Sequence, residues 1–303
     1  MLTYNKLSRK ERSLKSFTGL TINEFEKLHD ELLPIWNKRL NRKNRIRRIG
    51  GGRKSNLSCF YDELLMILFF YRNYPCYEII GYLFNLDISN ISRHISSLET
   101  VLSKLSRLKL AKPRKANKIN TVEELFEKFP ELTELIGDTT EQPIQRPKKK
   151  SKQKKHYSGK KKRHTVKTQL VTNKEKRIYD VSKTYTGRTH DKSIMETERT
   201  PDKIPRHSKL RVDNAYQKIQ KEYPDNNFIL PEKANRWHKL TRKQKNSNKD
   251  KASKRIIIEH VISRLKVFKI LSEKYRHNVA KHNRTFKNIS AIYNFRLDLA
   301  TLS

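Results

Sequence analysis

The sequence predicts a mixed α/β domain behind an all-α segment. Three observations carry that expectation. Apolar residues recur at helical intervals over residues 21–105, β-branched and polar residues alternate over 164–185, and a single long helix around 255–268 follows further short apolar runs. The order strand, strand, strand, helix, strand, strand, helix suits a sheet of mixed direction covered by helices.

Each element has its own signal. Residues 21–40 open with Thr21 and Glu24 in capping-box spacing and place Phe25, Leu28 and Leu32 on one face. The basic, glycine-rich stretch 41–55 reads as a linker. Residues 57–105 give three helical runs, broken at Pro75, with Asp87 or Ser89 as cap of the third. "YEIIGYLFNLDISNISRHISSL" has the build of a helix-turn-helix. Its second helix would show Ser89, Asn90 and Arg93 to base edges or phosphates while Ile88, Ile91, Ile95 and Leu98 face inward. A plain three-helix bundle with a polar outer face is the other reading. Farther on, a short apolar run from Leu132 to Ile136 ends at Asp138, and a basic loop runs from Arg146 to Arg163. "HTVKTQLVT" and "RIYDVSKTY" flank a turn at 173–176 as a β-hairpin, and "KLRVD" and "NFILPEK" supply two more strands. The expected domains are residues 1–49 (helical segment and linker), 50–112 (helix-turn-helix) and 113–303 (catalytic domain).

Composition names the class of partner. Lys and Arg number 69 against 31 Asp and Glu, a formal charge of +38. Such a surplus suits a polyanion, with nucleic acid first because each neutralised phosphate releases counterions. The basic run holding Lys148, Lys149, Lys150, Lys160 and Lys161 would lie on DNA. No apolar run approaches 18 residues and no signal peptide opens the chain, so no membrane is expected. Cys59 and Cys76 lack metal or disulfide spacing and are expected in the core.

Three acids then stand out. Asp138 and Asp213 close predicted strands, where side chains project into the crevice of an α/β sheet. Glu259 lies on the long helix, where Arg255, Glu259 and Lys266 fall within roughly 40° of one another. That ridge is either a surface i,i+4 ion pair or a phosphate clamp beside a catalytic acid. Three converging carboxylates would need Mg²⁺, and two such ions would serve an in-line phosphodiester displacement. His190 and Asp191 suggest a dyad but are neighbours on one turn and read as structural, while Trp36 and Trp237 read first as packing residues.

On these residues the chain resembles the DDE transposases of bacterial insertion sequences. "DTTEQPIQRPKKKSKQKKHYSGKKKRHTVKTQLV" is similar to the first-Asp block, "GRTHDKSI" to the glycine and His-Asp block, "VDNAYQ" to the second-Asp block and "RIIIEHVISRLKVFKILSEKYR" to the Glu block. The resemblance implies a ribonuclease H-like catalytic domain with Asp138, Asp213 and Glu259 as catalytic metal ligands. It also implies Mg²⁺, replaceable by Mn²⁺, with two ions bound. The implied activity is cleavage at transposon ends and 3′-hydroxyl strand transfer. Implied partners are double-stranded DNA, as terminal inverted repeats and target, and a second copy of the chain or more. The implied location is the bacterial cytoplasm at the nucleoid. Arg255 and Lys266 keep the spacing of the related helix, but Ala252 holds its tyrosine position. Ala215 stands where a glycine is common, which predicts strain if the turn needs positive φ. The alternatives are a catalytically inactive DNA-binding descendant of a transposase and a metal-dependent nuclease that cleaves without joining.

Overall fold

The computed structural model describes residues 1–40, 56–57, 59–105, 108, 121–205, 207–234 and 239–302. The expected linker 41–55, both expected domain boundaries and Trp237 lie outside them. In chain order the helices are α1 (Tyr4–Leu7), α2 (Glu11–Thr18), α3 (Ile22–Leu40), α4 (Phe60–Asn73), α5 (Tyr77–Phe84), α6 (Ile88–Leu102) and α7 (Val122–Lys128). Then come β1 (Glu134–Pro143), α8 (Lys150–His156), β2 (Tyr157–Ser158), β3 (Arg163–Asn173), β4 (Ile178–Val181), β5 (Tyr185–Thr186), α9 (Asp191–Thr197), β6 (Lys209–Arg211), α10 (Ile219–Glu222) and β7 (Asn227–Ile229). Helices α11 (Arg242–Lys266), α12 (Lys269–Ser272) and α13 (Val279–Leu302) complete the order. No helix among the described residues is long and apolar enough to cross a membrane.

These elements form two compact units. One gathers Met1–Arg107, Leu265–Glu273 and Arg284–Ser303, and the other Leu108–Arg264 and Lys274–Asn283. Residues 265–273 and 284–303 thus group with the N-terminal helices, whereas local pattern assigned them to the catalytic domain. In this helical unit Thr21 and Glu24 form the expected capping box, with backbone-to-side-chain bonds of 2.8 and 3.3 Å. Phe25, Leu28, Leu64, Ile80, Ile91, Leu98, Ile289 and Ile292 are buried together with their neighbours. Buried Glu99 takes part from α6, accepting from Thr285 at 3.0 Å, and Asn288 bonds the Tyr71 hydroxyl at 3.2 Å. Contrary to expectation Cys59 and Cys76 are exposed, because each is the cap residue ahead of a helix and so precedes its packed face.

The second unit is built on one mixed sheet in the order β2-β3-β1-β6-β7, with β4 and β5 also paired to β3. Strand β1 is antiparallel to β3 and parallel to β6, and β6 is parallel to β7. Its ionic seam is Glu134, bonded to Arg211 on β6 and to Lys174 at 2.8 Å. One face of β1 carries Leu135 and Gly137 against Met195, Leu210 and Val212. The opposite face carries Asp138, Thr140 and Gln142.

Candidate active site

Strand β1 runs through Asp138 to Pro143, so this acid is mid-strand and not, as the sequence suggested, at the strand's end. Its side chain is 19% exposed. Oδ1 accepts from the Thr139 amide at 2.8 Å, and Oδ2 lies 3.6 Å from Arg255 Nη1. Burial pushes the Asp138 carboxyl up to about 6; the Thr139 amide and Arg255 oppose that rise, and the nearby charges of Asp213 and Asp191 add to it. A buried carboxylate made costlier by the charge of neighbouring acids is a site that a cation would stabilise.

Asp213 follows β6 by two residues, as expected, and caps the short 3₁₀ turn Asn214–Tyr216. Its Oδ1 accepts from the Ala215 amide at 2.8 Å. Ala215 has no positive φ; that conformation falls instead at Lys218, φ 69°. The strain expected from a missing glycine is therefore absent, since the capping carboxylate holds an ordinary helical turn. Tyr216 is completely buried, its hydroxyl 2.8 Å from Thr139 Oγ1 and accepting from Gln169 at 3.1 Å, while Gln169 accepts from Thr200 at 2.9 Å. This network ties the Asp213 turn to the strand that carries Asp138. Sequence reasoning missed it, though Tyr216 stands in the second-Asp block.

Helix α11 brings the third acid. Thr241 and Gln244 exchange capping bonds of 2.9 and 3.3 Å at its start, so the helix begins at Arg242, well ahead of the 255–268 expected from sequence. Ile258, Val261 and Leu265 are buried, and the Glu259 side chain is 53% exposed. Arg255 Nη2 lies 3.4 Å from Glu259 Oε1 while Nη1 reaches Asp138. The i,i+4 pair exists, but it is not a plain surface pair: one guanidinium spans the helical acid and the strand acid. Lys266, the last residue of α11, belongs to the helical unit. Asp213, Asn248, Lys251, Ala252 and Arg255 border a cavity of about 300 Å³. Among the described residues no three His, Cys, Asp or Glu side chains form a metal-holding group. The donor chemistry nevertheless fits a hard cation, because Asp138 and Asp213 offer oxygen alone.

The remaining candidates sit as follows. His190 caps α9, and Asp191 pairs with Lys167 at 2.8 Å; Lys167 also lies 3.6 Å from Glu141 and donates to Thr189 O at 2.9 Å, so both have structural partners. On α6, Ser89, Asn90 and Arg93 are exposed, with Asp87 as the cap and Arg93 donating to Asn90 at 3.2 Å. Ile88 is 47% exposed and so leaves the apolar face assigned to it, because it is the first helical residue and precedes the packed turn. Gly81 permits the tight turn before α6, since a Cβ there would meet Leu86 O at 2.8 Å. Lys148, Lys149, Lys150, Lys160 and Lys161 are all exposed, but residues 150–156 form α8 where a loop was expected. Lys and Gln are good helix formers, and Gln153 ties α8 to the preceding segment by donating to Pro147 O at 2.8 Å.

The family described as DDE superfamily endonuclease matches residues 137–294. A probable transposase for insertion sequence element IS702 from Microchaete diplosiphon is 33% identical over 238 residues, which is 78% of this chain and 81% of that protein. No solved structure matches the chain. The matched segment contains both strand acids, the bridging arginine and the helical glutamate, and the chain belongs to the DDE superfamily endonucleases, among the transposases.

Proposed function

We propose that this chain cuts DNA at transposon ends and joins the freed 3′-hydroxyl to target DNA. The observation that carries this reading is Arg255 spanning Asp138 and Glu259 while the Asp213 charge bears on Asp138. Asp138, Asp213 and Glu259 would hold Mg²⁺, as two ions, which when bound activate a water or 3′-hydroxyl and steady the leaving oxygen. Arg255 meanwhile balances the acids, and with them loaded its guanidinium becomes available to a DNA phosphate. The Tyr216 network keeps the two strand acids in register. We read the mixed sheet as a ribonuclease H-like domain and α5–α6 as a helix-turn-helix, with Ser89, Asn90 and Arg93 toward bases and the 148–161 lysines on the backbone. Lys266 is assigned to phosphate on its spacing alone. Synapsis of two ends calls for at least a dimer.

The test uses the DNA flanking the coding region as substrate. Asp138→Asn, Asp213→Asn and Glu259→Gln should each abolish cleavage in Mg²⁺ or Mn²⁺ while sparing DNA binding. Near wild-type cleavage by any one removes that residue from the site. Arg255→Met should leave folding nearly intact and slow joining of a pre-cleaved end by about a hundredfold, since the displacement tolerates little misplacement. Metal-independent silence of the wild type, with binding intact, would favour the inactive DNA-binding descendant.

A further inference from the structure

Other chemistry suited to nucleic acid lies at the far end of the β1–β3 ladder. A hollow of about 700 Å³ there is lined by Arg146, Lys154, Arg188, Tyr157, His164 and Gly159. Three of these side chains are cationic, and among the described lining residues none is acidic. Tyr157 is 44% exposed, and its ring meets His164 edge to face, with centroids 5.7 Å apart, so that contact leaves a face of the phenol open.

The backbone builds this wall deliberately close. Tyr157 pairs with His164 in the short β2–β3 ladder, Arg188 N donates to Lys155 O at 3.1 Å, and Gly187 N donates to Thr165 O at 3.0 Å. A Cβ on Gly187 would fall 2.1 Å from Thr165 Oγ1 and 2.6 Å from His156 O, so the approach of the Arg188 loop depends on that glycine. Arg146 is held in turn by donating to Gln153 at 3.1 Å.

Cations alone would suit any phosphodiester backbone. An open aromatic face adds a demand that duplex DNA cannot meet, because its bases already stack on one another. Resting on the DNA-processing reading above, we infer that this hollow seats an unpaired nucleotide of a DNA strand, its base on Tyr157 and its phosphates on Arg146, Lys154 and Arg188. From Asp138 the ladder runs five residues to Pro143, opposite Thr165. At about 3.4 Å per residue that is roughly 17 Å, or about five base-pair steps from the strand acid.

The experiment measures full-length protein binding an oligothymidylate of about twelve nucleotides, a blunt duplex of random sequence and free dTMP. Tyr157→Ala removes the platform. Gly159→Leu fills the hollow at a position where an added Cβ meets nothing within 4 Å, so it leaves the fold intact. Both variants should weaken oligothymidylate binding about tenfold, the weight of one base–aromatic stack, and leave duplex binding unchanged. Equal loss for both DNA forms, no loss for either, or dTMP competing as well as the oligonucleotide would each overturn the inference. Cleavage by the wild type is run alongside: cleavage with unaltered oligothymidylate binding in both variants refutes the nucleotide seat alone, while no cleavage counts against the transposase reading.

Discussion

Replacing Asp138 by Asn should stabilise the metal-free protein while destroying its activity. The carboxyl stands at about 6 against an ordinary 3.8, chiefly because burial penalises its charge. A raised carboxyl favours folding fully below its unfolded value and loses that contribution as pH rises through the folded one. The gap between those two values corresponds to about 3 kcal/mol of cost above pH 6 or so. Asparagine keeps an oxygen for the Thr139 amide and carries no charge, but it gives up the 3.6 Å pairing with Arg255. A net gain of about 1–3 kcal/mol at neutral pH follows, shrinking toward zero near pH 4. Denaturant unfolding in EDTA at both pH values measures it. Adding Mg²⁺ should then stabilise the wild type more than the variant, because the native state alone offers the ligands. A variant less stable than wild type at neutral pH, or a difference independent of pH, would refute the reasoning.

Three further outcomes are expected. His282 is buried between Gln142 Oε1 and Thr184 Oγ1, each at 2.8 Å, and burial holds its imidazole down at about 4. Its contribution is present above pH 6.5 and lost as pH falls toward 4, up to about 3 kcal/mol; the stability of His282→Gln should lack that slope, and an unchanged slope would exclude His282 as its source. Arg93→Ala or Asn90→Ala should cost about 1–3 kcal/mol of discrimination between transposon-end and random DNA. Neutralising Lys148, Lys149 and Lys150 should weaken binding to all sequences and flatten its salt dependence; equal effects from both sets of changes would remove α6 as the reading helix.

Local pattern carried strands β1, β3, β4, β6 and β7 and helix α11, but not the short elements α8, β2, β5 and α10. It ended β1 at Asp138 because the apolar run stops there, whereas the strand continues through Thr140 and Gln142, which are polar yet buried, as are Thr168 and Thr172 of β3. A buried polar row breaks the alternation that marks a half-solvated strand. The Arg255 bridge was open to sequence reasoning only as a helical pair, since its second partner lies more than a hundred residues away on β1. Tyr216 and Gln169 were invisible for the same reason: hydrogen bonds between distant segments leave no local period.

The division of the helical unit between distant segments bears on how the protein is made. Met1–Arg107 leaves the ribosome well before Arg284–Ser303, the segment that supplies Ile289, Ile292 and Phe295 to its core and Arg296 to Glu24 at 3.0 Å. At about 5–20 residues per second, the roughly 180 residues in between take on the order of ten seconds or more to synthesise. Throughout that interval the helices α4 and α6 expose apolar faces that only later segments cover, while the chain being added is almost entirely that of the sheet unit. A message cut short before codon 284 would yield N-terminal helices without their closing partner, leaving the product aggregation-prone and unable to complete the unit that presents α6.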